Sequence, residues 1–135
     1  MKNPKMRTSG FTLIELLIVI AIVGILSSIV LASVNAARDK GIDSRIKSQL
    51  HEAISQASNV SDSTGSYVDV CVDPKVIELK DDAAALAMTG TGECNSDANN
   101  WAVQAPLKSG GYWCVDSNGK LTAETDPLGS STSCN

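Results

Sequence analysis

Several residue types are scarce in this chain of 135 residues, and each scarcity limits what the chain can be. Aromatic residues make up 4% of the sequence, so a globular part must build its core mainly from aliphatic side chains. Trp101, Tyr112 and Trp113 are the large anchors available, and we favour a core role for them over a binding surface. His51 is the single histidine, and no nucleophile motif accompanies it. We therefore expect a solvated histidine and no enzyme activity.

Basic residues are scarce from Asn59 onward, where four lysines stand against eleven acidic residues. A nucleic-acid-binding surface needs clustered Lys and Arg side chains, and this segment offers no such cluster. The acidic balance is typical of a solvated surface. We therefore expect no nucleic-acid partner.

Proline is absent from residues 11–58, and the apolar stretch 11–34 inside this range carries one charged residue, Glu15. As a helix this stretch would extend about 36 Å, enough to cross a hydrocarbon core about 30 Å thick. From residue 35 onward, apolar side chains recur at steps of three and four, which is typical of an amphipathic helix. The sequence thus predicts one helix over 11–58, with a membrane-spanning half at 11–34 and an amphipathic half at 35–58. The amphipathic stripe consists of Ile42, Ile46, Leu50, Ala53, Ile54 and Ala57.

Polar turn-forming residues crowd together after Ser58 and predict the boundary to a C-terminal globular head at 59–135. The segment Asp116-Ser-Asn-Gly119 is typical of a hairpin turn, because Asn-Gly readily adopts positive φ. A calcium loop is the alternative, but the spaced acidic ligands of such a site are missing, so we expect no metal. The fold class is α+β, a long helix packed by its second half against a small antiparallel sheet. The head is predicted to contain a short strand, a weak helix and three antiparallel strands, at 67–72, 74–88, 101–105, 111–116 and 120–124.

Four cysteines all fall in the C-terminal half, and none forms the Cys-x-x-Cys pair expected of zinc or redox sites. Two disulfides are the better interpretation if the head is exported to an oxidising compartment. Three pairings are possible. We favour Cys71 with Cys94 and Cys114 with Cys134, because each closes a compact loop of about 20 residues and would stabilise the head by about 3 kcal/mol. No cofactor is expected.

The segment Gly10-Phe-Thr-Leu-Ile-Glu-Leu-Leu-Ile-Val-Ile20 resembles the N-terminal processing and methylation signature of type IV prepilins and type II secretion pseudopilins. The resemblance covers residues 1–34 in detail and the rest of the chain in outline. It implies that residues 1–10 are a leader, removed by prepilin peptidase between Gly10 and Phe11. It also implies that Phe11 becomes N-methylated, and that Glu15 lies near the amine of a neighbouring subunit during filament assembly.

The implied function is that of a structural pilin subunit, with residues 11–34 forming the core of a type IV pilus filament. Before assembly, the subunit would be a single-pass protein of the cytoplasmic membrane. Its implied partners are further pilin subunits in a homo-oligomeric filament, the prepilin peptidase and the pilus assembly machinery. The basic leader would stay on the cytoplasmic side, and its removal would change the formal charge from −4 to −7.

Several alternatives remain open. The chain could be a type II secretion pseudopilin in a periplasm-spanning filament, a DNA-uptake pilin, which the acidic head disfavours, or a small secreted or membrane-anchored domain. Residues 34–36 resemble a signal-peptide cleavage site, although the apolar stretch before them is too long for a typical signal core. Glu15 could also be an incidental carboxylate of a plain anchor. Many family members carry a proline where this chain has Ala32, so its helix would stay straighter or loosen elsewhere, for example at Gly24.

Overall fold

The structure is a computed structural model that describes residues 10–135, apart from the side chains of 62–64. The predicted leader therefore lies almost entirely outside the described residues. Within residues 10–135, two helices, one 3-10 turn and four strands follow one another, and the strands pair antiparallel in chain order. The predicted α+β fold class is confirmed. The elements are α1 (Leu13–Thr64), the 3-10 turn (Val70–Val72), α2 (Pro74–Ala87), β1 (Glu93–Ser96), β2 (Trp101–Pro106), β3 (Tyr112–Asp116) and β4 (Leu121–Glu124).

The chain divides into two compact units between Ala36 and Ala37. In the N-terminal unit, the large apolar side chains of residues 11–34 are 39–83% exposed, so nothing within this unit covers them. The hydroxyls of Ser27, Ser28 and Ser33 donate to main-chain carbonyls three or four residues earlier. The helix thus satisfies the hydroxyls of these three serines itself. It is also long and apolar enough to cross a membrane.

In the C-terminal unit, the second half of α1 buries the predicted stripe. Ile46, Leu50, Ala53 and Ala57 are fully buried, and the stripe joins a core that also contains residues of α2 and of one face of the sheet. Because apolar side chains spaced by three and four lie on one side of a helix, this periodicity identified the packed side from sequence. The prediction that the second half of the helix packs against the sheet is confirmed.

Helix α1 ends at Thr64, six residues beyond the predicted end at Ser58. Val60 packs against the core, so tertiary packing outweighs the turn preference of the polar residues around it. The helix stops before Gly65, which has a φ of 69° and donates its N–H to the carbonyl of Ser61. A left-handed glycine directly after the last turn is a common helix terminator.

The strand predicted at 67–72 is wrong, since a 3-10 turn occupies Val70–Val72. The alternation of valines is typical of a strand, but this segment is not one of the strands of the four-stranded sheet. The helix predicted at 74–88 is present as α2. Its start is explained by Asp73, whose carboxylate accepts the N–H groups of Lys75 and Val76 at 3.0 and 3.1 Å.

The three C-terminal strands lie within one residue of their predicted positions. The sequence did not predict β1, because Glu93–Ser96 lacks the apolar alternation of a half-buried strand. Of the aromatic anchors, Trp101 is 2% exposed and belongs to the core, whereas Trp113 packs partly against it. The ammonium of Lys47 lies 4.2 Å from the centre of the Trp113 ring.

Candidate assembly site

The candidate site lies at the first turn of α1, where Thr12 and Glu15 contact each other through three hydrogen bonds. The N–H and the hydroxyl of Thr12 both donate to Oε2 of Glu15, each at 2.8 Å. In return, the N–H of Glu15 donates to Oγ1 of Thr12 at 3.3 Å. This reciprocal arrangement is a capping box, which satisfies main-chain donors that a helix start otherwise leaves without partners.

Sequence analysis identified Glu15 as a charged group but missed its role in starting the helix. The signal was available, because Thr12 and Glu15 are separated by the three-residue step of a capping box. Thr12 itself was not selected as a site residue. The structure therefore adds one residue to the candidate site and explains why α1 begins at Leu13 rather than at Phe11.

The two oxygens of the Glu15 carboxylate are used differently. Oε2 accepts both bonds from Thr12, whereas Oε1 accepts none from any residue between 10 and 135. The surrounding helix surface consists of exposed leucine and isoleucine side chains such as Leu16 and Ile18. A carboxylate oxygen without a partner, set in an apolar surface, is suited to a cationic group from outside the chain.

Gly10 and Phe11 precede the helix and lie outside its hydrogen-bonded turns. Phe11 is 83% exposed, and a side chain added at Gly10 would meet no atom within 4 Å. Among residues 10–135, the rest of the chain therefore leaves these two positions largely uncovered. Because Thr12 supplies the cap, the capping box uses no atom of Gly10 or of the residues before it.

The four cysteines form two disulfides, with the pairing that loop length favoured. Cys71 bonds Cys94 with Cα atoms 5.6 Å apart, and Cys114 bonds Cys134 with Cα atoms 5.9 Å apart. The first links the 3-10 turn to β1, and the second links β3 to the C-terminal tail.

Sequence analysis also considered a catalytic role for His51 and a calcium loop for the segment that contains Asp116. His51 is exposed on α1. Asp116 is buried in the hairpin turn, where Oδ1 accepts the N–H groups of Asn118 and Lys120 at 2.9 and 3.0 Å. Gly119 has a φ of 78°, as a turn at this position requires. The segment is thus a hairpin turn.

Among residues 10–135, the metal-compatible group of side chains is Cys114, Glu124 and Cys134. Its two sulfur atoms are already joined in a disulfide and cannot act as thiolate ligands. The group therefore does not form a metal centre in the oxidised protein.

Comparison with known proteins agrees with this geometry. Residues 5–31 match the family described as "Prokaryotic N-terminal methylation motif". The chain is also 30% identical over 113 residues to the "Type IV wide pilus major component PilA4" of Thermus thermophilus, an alignment that covers 84% of this chain and 81% of that protein. No solved structure matches the chain. Together with the apolar first half of α1, the capped Glu15 and the disulfide-bonded α+β head, these similarities place the chain in the type IV pilin family.

Proposed function

We propose that this chain is a structural pilin subunit that is cut between Gly10 and Phe11 and then assembles through residues 11–34 into a type IV pilus filament. The observation that carries the proposal is the exposed apolar surface of this segment, which contains a single carboxylate with one oxygen free of hydrogen bonds within the described residues. So much apolar surface is not stable in water and needs lipid or other helices around it.

The proposed role of Glu15 is to set the position of each new subunit along the filament. Cleavage after Gly10 would create an ammonium at Phe11. In a filament, that ammonium from one subunit would lie beside Oε1 of Glu15 in its neighbour. Two opposite charges removed from water together compensate each other, whereas either alone would be costly. A subunit inserted out of register would leave both charges without partners.

The proposed location follows from the same segment. The subunit would first cross the cytoplasmic membrane once, with its basic leader on the cytoplasmic side where prepilin peptidase acts. The assembly machinery would then move it into a filament at the cell surface. There, the helices of other subunits would replace lipid around residues 11–34.

A pilus is favoured over a secretion pseudopilus by the similarity to a major component of a type IV wide pilus, because its 113 aligned residues are more than the N-terminal helix of this chain can supply. The two disulfides also suit a head exposed outside the cell. We propose no catalytic role, since assembly itself would be the action of the protein.

Mass spectrometry of the protein purified from its host tests the proposed processing. The expected N-terminus is a methylated Phe11. An N-terminus at Ala37 would instead support a conventional secretory signal and contradict the proposal. Gly10→Val should block cleavage because its branched side chain would obstruct the peptidase directly at the peptide bond to be cut. The matched control Gly24→Val adds the same side chain far from that bond, also with no atom of the chain within 4 Å, and should leave cleavage unchanged.

Electron microscopy of cells expressing the chain tests assembly. Filaments that contain the processed chain are expected at the cell surface, and they should be absent when Gly10→Val blocks cleavage. A processed chain that remains monomeric in the membrane under conditions of pilus expression would contradict the filament role.

A further inference from the structure

The C-terminal tail of the head, residues 125–135, lies over the face of the sheet opposite the main core. We refer to this tail as the C-terminal strap. A small buried cluster joins the strap to the sheet, with Leu128 and Cys134 from the strap and Ala102 and Cys114 from the sheet. Four apolar residues bury little area, so hydrophobic contact alone gives the strap limited stability. Other interactions must hold it in place.

Polar side chains of the sheet bind the main chain of the strap. On β1, Oε2 of Glu93 accepts the N–H of Gly129 at 2.8 Å. The side-chain amide of Asn95 donates to the carbonyls of Gly129 and Ser131 at 2.7 and 2.9 Å. Successive residues of a strand point to opposite faces, so residues 93 and 95 share the face that carries the strap.

The inner strand β2 also binds the main chain of the strap, through Gln104, which is 1% exposed. Its Oε1 accepts the N–H of Leu128 at 2.7 Å, and its side-chain amide donates to the carbonyl of Asp126 at 3.1 Å. These bonds recognise main-chain atoms and do not depend on the side chains of the strap. The face therefore holds the strap through contacts other than the disulfide.

Asp116 makes the contact closest to the disulfide. It is 2% exposed and lies two residues after Cys114 on β3. Its Oδ1 serves the hairpin turn, while its Oδ2 accepts the N–H of Cys134 at 3.0 Å. One buried carboxylate thus fixes the main chain of Cys134 next to the strand that carries Cys114.

We propose that Asp116 is a positioning residue for oxidation of Cys114 and Cys134: it docks the strap in the reduced chain and brings the two thiols together before they are joined. Between flexible parts of a chain, two thiols meet at a low effective concentration, and a fixed geometry raises it. A carboxylate suits this role because its hydrogen bond to an N–H is stronger than that of a neutral acceptor.

The oxidant we name is a small-molecule disulfide such as glutathione disulfide. The thiolate of one cysteine attacks a sulfur of the oxidant, which forms a mixed disulfide and releases one glutathione thiolate. The thiolate of the other cysteine then attacks the cysteine sulfur of that mixed disulfide and releases the second glutathione. Two thiols are oxidised, one disulfide is reduced, and the protons lost by the cysteines are taken up by the released thiolates. Asp116 acts on the second step, because this step requires the two cysteines to meet.

The same chain offers an internal control, since Cys71 and Cys94 form a separate disulfide. Within residues 10–135, no carboxylate accepts a hydrogen bond from the main chain of either cysteine. General destabilisation of the head should weaken both disulfides. Loss of a positioning contact should weaken the bond between Cys114 and Cys134 alone.

The test uses the full chain in detergent, equilibrated in mixtures of reduced and oxidised glutathione. Alkylation of free thiols followed by peptide mass mapping gives the effective concentration of each cysteine pair. Asp116→Ala should lower the effective concentration of Cys114 and Cys134 by about tenfold or more, which is the size expected for losing a buried hydrogen bond to a charged group. The effective concentration of Cys71 and Cys94 should change by less than about twofold. Asp69→Ala is the control, since this exposed carboxylate accepts no hydrogen bond from the described residues. Equal losses at both pairs, or no loss at either, would overturn the proposal.

A second measurement applies even if Asp116→Ala does not fold. In the double variant Cys114→Ser with Cys134→Ser, the strap should remain docked, so the main-chain amide at position 134 should exchange hydrogen at least about tenfold more slowly than the exposed amide at position 130. Equal exchange at the two positions would show that the disulfide docks the strap, and the proposed order of events would be wrong.

Discussion

Thr12 and Glu15 cap each other across the first turn of α1, with both donors of Thr12 within 2.8 Å of a single carboxylate oxygen. The arrangement separates two properties of Glu15. Its shape and hydrogen-bonding capacity serve the start of its own helix, whereas its negative charge has no cationic partner among residues 10–135. A substitution that keeps one property and removes the other can therefore distinguish the two roles.

Glu15→Gln is that substitution. The glutamine can still accept the bonds from Thr12, so the start of α1 should be retained, but the charge is lost. If the charge recognises a neighbouring amine, filament yield in electron micrographs should fall nearly as far as in Glu15→Ala, with both variants still inserted in the membrane. Normal filaments from Glu15→Gln together with their loss in Glu15→Ala would show that helix capping, not charge, is what assembly requires.

Asp43 joins the second half of α1 to the loop between β2 and β3. Asp43 is 7% exposed, and its carboxylate accepts the N–H of Lys108 at 2.6 Å, the N–H of Ser109 at 3.4 Å and the hydroxyl of Ser109. Asp43→Ala should leave these donors without an acceptor and lower the free energy of unfolding by about 1–3 kcal/mol.

Urea unfolding of the full chain in detergent, followed by tryptophan fluorescence, measures this loss. Both tryptophans, Trp101 and Trp113, lie in the head, so the signal reports the head and not the apolar anchor. Asp69→Ala is again the control, because its exposed carboxylate accepts no hydrogen bond from the described residues. A loss for Asp43→Ala no larger than that of the control would refute the structural role given to Asp43.

The elements that sequence analysis predicted well are those whose signal is contained in the chain locally. The stripe through Ile46 and Leu50 repeats with the helical period, and the Asn-Gly pair of the last hairpin restricts its own backbone. The 3-10 turn at Val70–Val72 and strand β1 are different: the turn stands where valine alternation predicts a strand, and β1 is defined by its pairing with β2. That information lies in the tertiary structure, which valine alternation cannot reveal.

The candidate site shows the same division. Gly10, Phe11 and Glu15 could be selected from a contiguous motif, and Thr12 could have been added from its spacing to Glu15. The contacts of Asp43 with the loop at Lys108 and of Asp116 with Cys134 could not, since these partners are distant in sequence and become close only in the folded chain. A buried carboxylate cannot be told from a solvated one by composition alone.

Asp97 provides a prediction about pH. The N–H groups of Asn99 and Asn100 donate to its carboxylate at 2.7 Å and lower its pKa from the usual value of 3.8. A carboxyl group whose pKa is lower in the folded state stabilises the fold at pH values above its unfolded pKa, and this contribution is lost as the pH falls through the folded pKa. The stability difference between wild type and Asp97→Ala should therefore be constant near neutral pH and shrink below about pH 3.8.

Urea unfolding at a series of pH values measures that difference. Ser130→Ala is a suitable control, because it removes an exposed hydroxyl that does not titrate in this range. Its stability difference from wild type should stay level with pH. A difference for Asp97→Ala that stays level or grows in acid would contradict the proposed hydrogen-bond origin of the lowered pKa.

The two halves of α1 allow one chemical change to be tested in two environments. Leu50 is fully buried in the head, whereas Leu17 is 55% exposed on the apolar anchor. Leu50→Ala should create a cavity and lower the free energy of unfolding of the head by about 2–5 kcal/mol. Leu17→Ala removes the same atoms where this chain offers no packing partner, so head stability should change by less than about 0.5 kcal/mol.

If neighbouring helices cover residues 11–34 in a filament, Leu17→Ala should nevertheless reduce the resistance of purified filaments to detergent. Each variant serves as the control for the other, because both make the same leucine-to-alanine change in α1. Filaments of Leu17→Ala as resistant as wild type would mean that this side chain stays outside the filament core.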